Sequence, residues 1–265
     1  MRWKVATSTV TGKAHAQRGE AGQDCHRAGT VRIAGSEFFI GLVSDGAGCT
    51  TDGGRGAEIA CLTIYGRIIV SLEESFDSGK GDGYASEEPF IAEQVIRDWI
   101  TAAREAIEAD ATGTGKPIRN YACTFLGVVS GNGCTVFFQI GDGAIVTNER
   151  GEYRTIFWPD QGEYANTTFF VTDDEYLDRL RILRLESFPE EIAIFTDGLQ
   201  NLVLSFVQKK AHAGFFRPLF EALQKTPENS LSGFVAQLHT FLSRDEINAR
   251  SDDDRTLLLA VRMEG

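Results

Sequence analysis

The order of apolar segments predicts an α+β protein in which antiparallel sheets are covered by helices. Three observations carry this reading. Strand-like runs come first, followed by two helical stretches, more strands, two further helices and a closing strand. The segments do not alternate strand and helix one for one, as a parallel βαβ sheet would require. No internal repeat of solenoid period is present. With 265 residues, 42% of them hydrophobic and only six of them proline, the chain can bury a substantial core without a proline-rich linker, and residues 1–265 are read as one domain.

The elements follow from local pattern. Residues 3–11 alternate as a strand, residues 31–34 form a short one, and residues 37–44 form a strongly apolar run broken by Gly41. A glycine-rich loop covers residues 46–56. Ala57, Ala60, Cys61, Ile64, Ile68 and Leu72 then recur at helical spacing, predicting a helix over residues 55–74. Residues 75–88 are polar and glycine-rich and are expected to be a mobile connection. A second helix is expected over residues 89–109, burying Ile91, Val95, Trp99, Ala102, Ala103 and Ile107. Strands return at residues 123–130, 134–140 and 144–147, and Asn148-Glu149-Arg150-Gly151 supplies a hairpin turn. Residues 158–185 look less regular. Residues 191–196 read as a strand, residues 215–223 and 231–242 as helices, and residues 256–261 as the last strand.

Charge and cysteine content exclude several classes. The formal net charge is −12, so the chain gains nothing from counterion release on nucleic acid, and no nucleic-acid partner is expected. Five cysteines, with no C-x-x-C pair and no secretory leader, point to reduced thiols and a cytoplasmic location. No apolar run reaches the roughly 18 residues of a membrane span. A P-loop, a G-x-S-x-G elbow and an H-E-x-x-H helix are all absent, which excludes the corresponding NTPase, hydrolase and zinc-protease chemistries. A haloacid-dehalogenase-like phosphatase needs a second aspartate two residues before the first, where Val43 and Phe195 stand instead. His26, His212 and His239 are read as ordinary core or surface histidines. Cys25 and Cys49, which flank the candidate site in sequence, are read as ordinary small residues.

The informative pattern lies at strand ends. Three apolar runs each finish in Asp-Gly: Asp45-Gly46, Asp142-Gly143 and Asp197-Gly198. A fourth case is inverted, with Asp252-Asp253-Asp254 just before the last strand. In an antiparallel sheet the exit of one strand and the entry of its neighbour share an edge, so these carboxylates are expected at one rim. Clustered carboxylates repel unless cations neutralise them, and hard oxygen ligands favour Mg²⁺ or Mn²⁺. The pattern alone predicts a metal site and leaves its substrate open.

In order along the chain, Gln23-Asp24, Ser44-Asp45-Gly46-Ala47-Gly48, Tyr121-Ala122-Cys123-Thr124, Ile140-Gly141-Asp142-Gly143, Phe195-Thr196-Asp197-Gly198-Leu199 and Asp253-Asp254-Arg255-Thr256 resemble the motifs of the type 2C metal-dependent protein phosphatases. The resemblance implies a four-layer α-β-β-α sandwich of two antiparallel sheets flanked by helices, with metals in a cleft at one edge. It implies that Asp45 bridges two Mg²⁺ or Mn²⁺ ions and that the Gly46 carbonyl binds one of them. Asp197 and Asp253 would complete the other ion's shell, and Asp24 would hold the site directly or through water. Asp142, with Asp197, would suit a third ion. A hydroxide bridging two metals would then hydrolyse phosphoserine or phosphothreonine in phosphorylated proteins in a single step, opposite a cognate Ser/Thr kinase.

The sequence also departs from the family pattern. Gln23 replaces the usual glutamate, and Gly19 stands where an arginine usually grips phosphate. Arg18 and His15 are therefore both candidates for that role, Arg18 being preferred for its bidentate geometry. Ala47 stands where many members carry an acid histidine, which leaves protonation of the leaving group to a metal-bound water. The competing function is a phosphatase-fold binding or regulatory module with little turnover. Retention of Asp45, Asp197 and Asp253 argues against it, because a scaffold has no use for mutually repelling carboxylates.

Overall fold

The structure, a computed structural model, describes residues 2–77, 90–159 and 168–263. In chain order it contains β1 (Arg2–Val10), α1 (Lys13–Arg18), β2 (Asp24–Ile33), β3 (Ser36–Asp45), α2 (Gly53–Asp77), α3 (Glu93–Thr114), β4 (Phe125–Gly131), β5 (Cys134–Ile140), β6 (Ala144–Glu149) and β7 (Glu152–Thr155). Then come β8 (Arg181–Leu185), β9 (Glu191–Phe195), α4 (Gln200–Val203), the two-residue strands β10 (Leu204–Ser205) and β11 (Lys210–Ala211), α5 (Ala213–Lys225), α6 (Leu231–Leu242), α7 (Asp245–Asn248) and β12 (Arg255–Met263).

Two five-stranded antiparallel sheets result, ordered β1-β12-β9-β6-β7 and β2-β3-β4-β5-β8. Their facing surfaces are filled by Phe39, Val43, Val128, Phe137, Ile194 and Leu258. Helices α2 and α3 cover the outer face of the second sheet through Ile64, Ile68, Trp99 and Ile107, packed on Phe38, Phe125 and Phe138. Helices α5 and α6 cover the first through Phe216, Phe220, Phe234 and Leu238. This is the four-layer α-β-β-α sandwich, and each sheet is apolar on both faces because each is covered on both.

Local chemistry explains where elements differ from expectation. The strand expected over residues 37–44 is β3, which runs straight through Gly41. A Cβ there would meet the Phe39 ring at 2.8 Å, Val128 at 3.1 Å and Leu258 at 3.2 Å, so glycine makes room for the opposite sheet. β2 is ten residues long rather than the four predicted, because pairing with β3 carries its polar residues. The second long helix buries Ile96, Ile100 and Ala111 beside Trp99, Ala103 and Ile107, a face slightly rotated from that expected. The expected mobile connection falls largely outside the described residues. No helix among those described is long and apolar enough to cross a membrane.

Candidate active site

The site forms where strand ends from the two sheets meet. Asp24 opens β2 and Asp45 closes β3, and the two are direct cross-strand partners. Asp142 follows β5, Asp197 follows β9, and Asp253 lies just before β12, which pairs antiparallel with β9. Antiparallel pairing brings all five to one rim, as the strand-end argument requires. Asp45, Asp142, Asp197 and Asp253 line a cleft of about 360 Å³ with Ala47, Cys49, Thr124, Thr168 and Phe170.

The turn after Asp45 is held from both sides. The Asp45 main-chain N–H donates to Thr124 Oγ1 at 3.2 Å, and Thr124 N–H donates back to the Asp45 carbonyl at 2.8 Å. Gly46 N–H donates to the Gln23 carbonyl at 3.2 Å. A Cβ on Gly46 would run into the backbone of Gly53 and Gly54 at the start of α2. Glycine is needed here for that close approach.

Asp24 lies behind the cleft lining. Its Oδ2 accepts hydrogen bonds from the Thr196 hydroxyl at 2.9 Å and the Thr256 hydroxyl at 2.8 Å. These threonines come from the other sheet, so one carboxylate ties the two sheets together at the rim. Thr168 donates to Asp142 Oδ2 at 2.6 Å. Asp24 Oδ1 and Asp197 Oδ1 are buried with no hydrogen-bond partner among the described residues.

The electrostatics follow from burial and crowding. Burial, and to a lesser degree the Asp254 charge, push Asp24 up to about 8. Burial and the charges of Asp142 and Asp253 push Asp197 up to about 7. Asp45 is raised well above the usual carboxylate range by burial and by Asp24, Asp197 and Asp253. Burial also raises Asp142 and Asp253. Arg255 is buried beside the cluster; burial lowers its pKa, while Asp254, Asp253 and Asp24 oppose that effect.

Neither phosphate candidate is among the residues that line the cleft. Arg18 is half exposed at the end of α1 and pairs with Glu20 at 2.6 Å, outside the cleft lining. His15 is buried on α1 with Nδ1 3.0 Å from Asp254 Oδ2, also outside the lining. Several supporting residues were not picked out from sequence. The hydroxyls of Thr196 and Thr256 sit inside quoted motifs, and their position beside Asp-Gly and Asp-Asp pairs was the available signal. Thr168 and Phe170 lie in an irregular segment that carried none.

Residues 11–243 match the protein phosphatase 2C family. Serine/threonine-protein phosphatase 3 of Escherichia coli (strain K12) is 30% identical over 265 residues, all of both chains. Among solved structures, PppA, a regulatory component of the type VI secretion system in Pseudomonas aeruginosa, superposes with a TM-score of 0.60 at 15% identity over 99% of each chain. The catalytic domain of the serine/threonine protein phosphatase PstP, solved with two manganese ions, gives 0.57 at 16% identity over 99% of each chain. The strand-end aspartates, the four-layer sandwich and these matches agree, and the chain belongs to the protein phosphatase 2C family of serine/threonine phosphatases.

Proposed function

We propose that this chain hydrolyses phosphoserine and phosphothreonine in phosphorylated proteins, using two Mg²⁺ or Mn²⁺ ions held by the strand-end aspartates. The observation that carries this is the five-aspartate rim, half-buried and raised in pKa, in which two carboxylate oxygens have no partner among the described residues. Crowded carboxylates with oxygens left without a donor fit hard divalent cations. Asp45 and the Gly46 carbonyl, with Asp197 and Asp253, would hold the two ions, and Asp24 would support them directly or through water. Asp142 with Asp197 would take a third. Two divalent cations bound there would activate water near neutral pH and supply positive charge for the phosphoryl oxygens.

The chain's own residues do the remaining work. Thr196 and Thr256 fix the orientation of Asp24, and Thr124 fixes the Asp45 turn. Hydrolysis is in line and in one step, so no phosphoenzyme forms. Ala47 lines the cleft and carries no proton, so the serine or threonine oxygen takes its proton from solvent in the site. Arg18 grips phosphate in this proposal. Its exposed pair with Glu20 contributes less than about 1 kcal/mol and gives way readily to a phosphate dianion. The substrates are cytoplasmic proteins phosphorylated by a cognate kinase. The test is phosphate release from a phosphothreonine peptide with Mn²⁺, its loss in EDTA and its return on adding Mn²⁺. Hydrolysis that persists in chelator overturns the metal mechanism, and no hydrolysis with any divalent cation favours a binding module.

A further inference from the structure

His15 is the only buried residue of α1. Its side chain is 3% exposed, and among the described residues neither ring nitrogen has a hydrogen-bond partner. A buried imidazole left so is costly and requires an account. Nδ1 stands 3.0 Å from Oδ2 of Asp254, itself only 1% exposed. Ligand atoms of His15, Asp253 and Asp254 lie within 4.8 Å of one another. The 3.0 Å contact is not directed as a hydrogen bond. Two donors each about 2.0–2.2 Å from one cation stand roughly 3 Å apart, so the spacing is that of shared ligation.

The surroundings hold these groups in place. Gly12 N–H donates to Asp254 Oδ1 at 2.6 Å, and Gln23 N–H donates to Oδ2 at 2.5 Å. Asp254 N–H donates to Asp253 Oδ1 at 2.8 Å. Each carboxylate oxygen has lone-pair capacity beyond these bonds. A Cβ on Gly12 would run into the backbone of Asp252 and Asp253, so glycine lets α1 dock close enough to bring His15 to the two aspartates.

We infer that His15, Asp253 and Asp254 form a site for a divalent first-row transition cation, Mn²⁺ or Zn²⁺. The imidazole nitrogen selects these over Mg²⁺, which prefers oxygen alone. The inference rests on the proposed carboxylate centre only in sharing Asp253 with it. His15 thus serves as a ligand rather than as a phosphate contact.

The test uses the full chain, stripped of metal and reloaded with Mn²⁺, read by electron spin echo envelope modulation for a directly coordinated ¹⁴N. The expected result is nitrogen modulation in the wild type and in Asp45→Asn, lost in His15→Ala. Mn²⁺ affinity at this site should fall about 10-fold or more in His15→Ala, while Mg²⁺ affinity is unchanged. Absence of coordinated nitrogen in the wild type overturns the inference whether or not His15→Ala folds. Modulation that survives His15→Ala also overturns it, as does modulation lost in Asp45→Asn, which would assign the imidazole to the carboxylate centre. Hydrolysis that fails while the nitrogen signal is present would instead sink the functional reading alone.

Discussion

Replacing Asp197 by asparagine should stabilise the metal-free protein at pH 8 and reduce the stabilisation that metal provides. Asp197 is pushed from 3.8 up to about 7 by burial and by the charges of Asp142 and Asp253. The folded protein therefore holds a proton that the unfolded chain has already released, and stability falls as pH rises from about 4 through 7. The favourable contribution is intact below the unfolded value of 3.8 and is lost as pH passes the folded value. A shift of about 3 units corresponds to roughly 4 kcal/mol. Because the cluster shares this repulsion, and a buried asparagine amide must find a partner, one substitution should recover about 1–3 kcal/mol. Urea unfolding in EDTA at pH 5 and pH 8 measures this directly. The variant should exceed the wild type at pH 8, and the gap should narrow at pH 5. With Mn²⁺ at 100 times its Kd the wild type should gain about 2.7 kcal/mol and the variant less, which offsets most or all of the variant's advantage. A variant less stable than the wild type in EDTA at pH 8, or one equally stabilised by Mn²⁺, would refute the reasoning.

Three further outcomes follow from particular contacts. Thr256→Val removes a hydroxyl that donates to Asp24 at 2.8 Å, and should raise the Mn²⁺ needed for half-maximal hydrolysis by about 10–100-fold with an unchanged circular dichroism spectrum. Gly46→Ala forces a methyl into the Gly53–Gly54 backbone and should cost about 1–3 kcal/mol by chemical denaturation. Phe39→Ala empties a fully buried position between the sheets, beside Trp3, and should cost about 3–5 kcal/mol by the same measurement.

How much was legible in sequence depended on whether one segment carried the signal. Helix α6 matched its predicted bounds and α2 ran close to them, because apolar residues at helical spacing face a single sheet. The rim was legible because a strand exit marked by Asp-Gly is a local feature. Strand β2 was mostly missed, since it is an edge strand whose polar start at Asp24 shows no alternation. Strand β8 was missed because all five residues are half-buried, so its sequence carries no clear inside and outside. The short helix α1 was missed too: it buries only His15, far too little for periodicity to register. What could not be read at all was pairing across more than 200 residues. Asp254 receives the Gly12 and Gln23 N–H groups, and Thr256 reaches Asp24, only because β12 returns beside β1.

The central claim is that the strand-end carboxylates, Asp45 among them, are required for metal-dependent hydrolysis. Phosphate release from a phosphothreonine peptide with Mn²⁺, measured for the wild type beside folded Asp45→Asn, tests it most directly. The account predicts turnover in the wild type and a loss of at least about 10²-fold in the variant. Near-wild-type release by Asp45→Asn would contradict it.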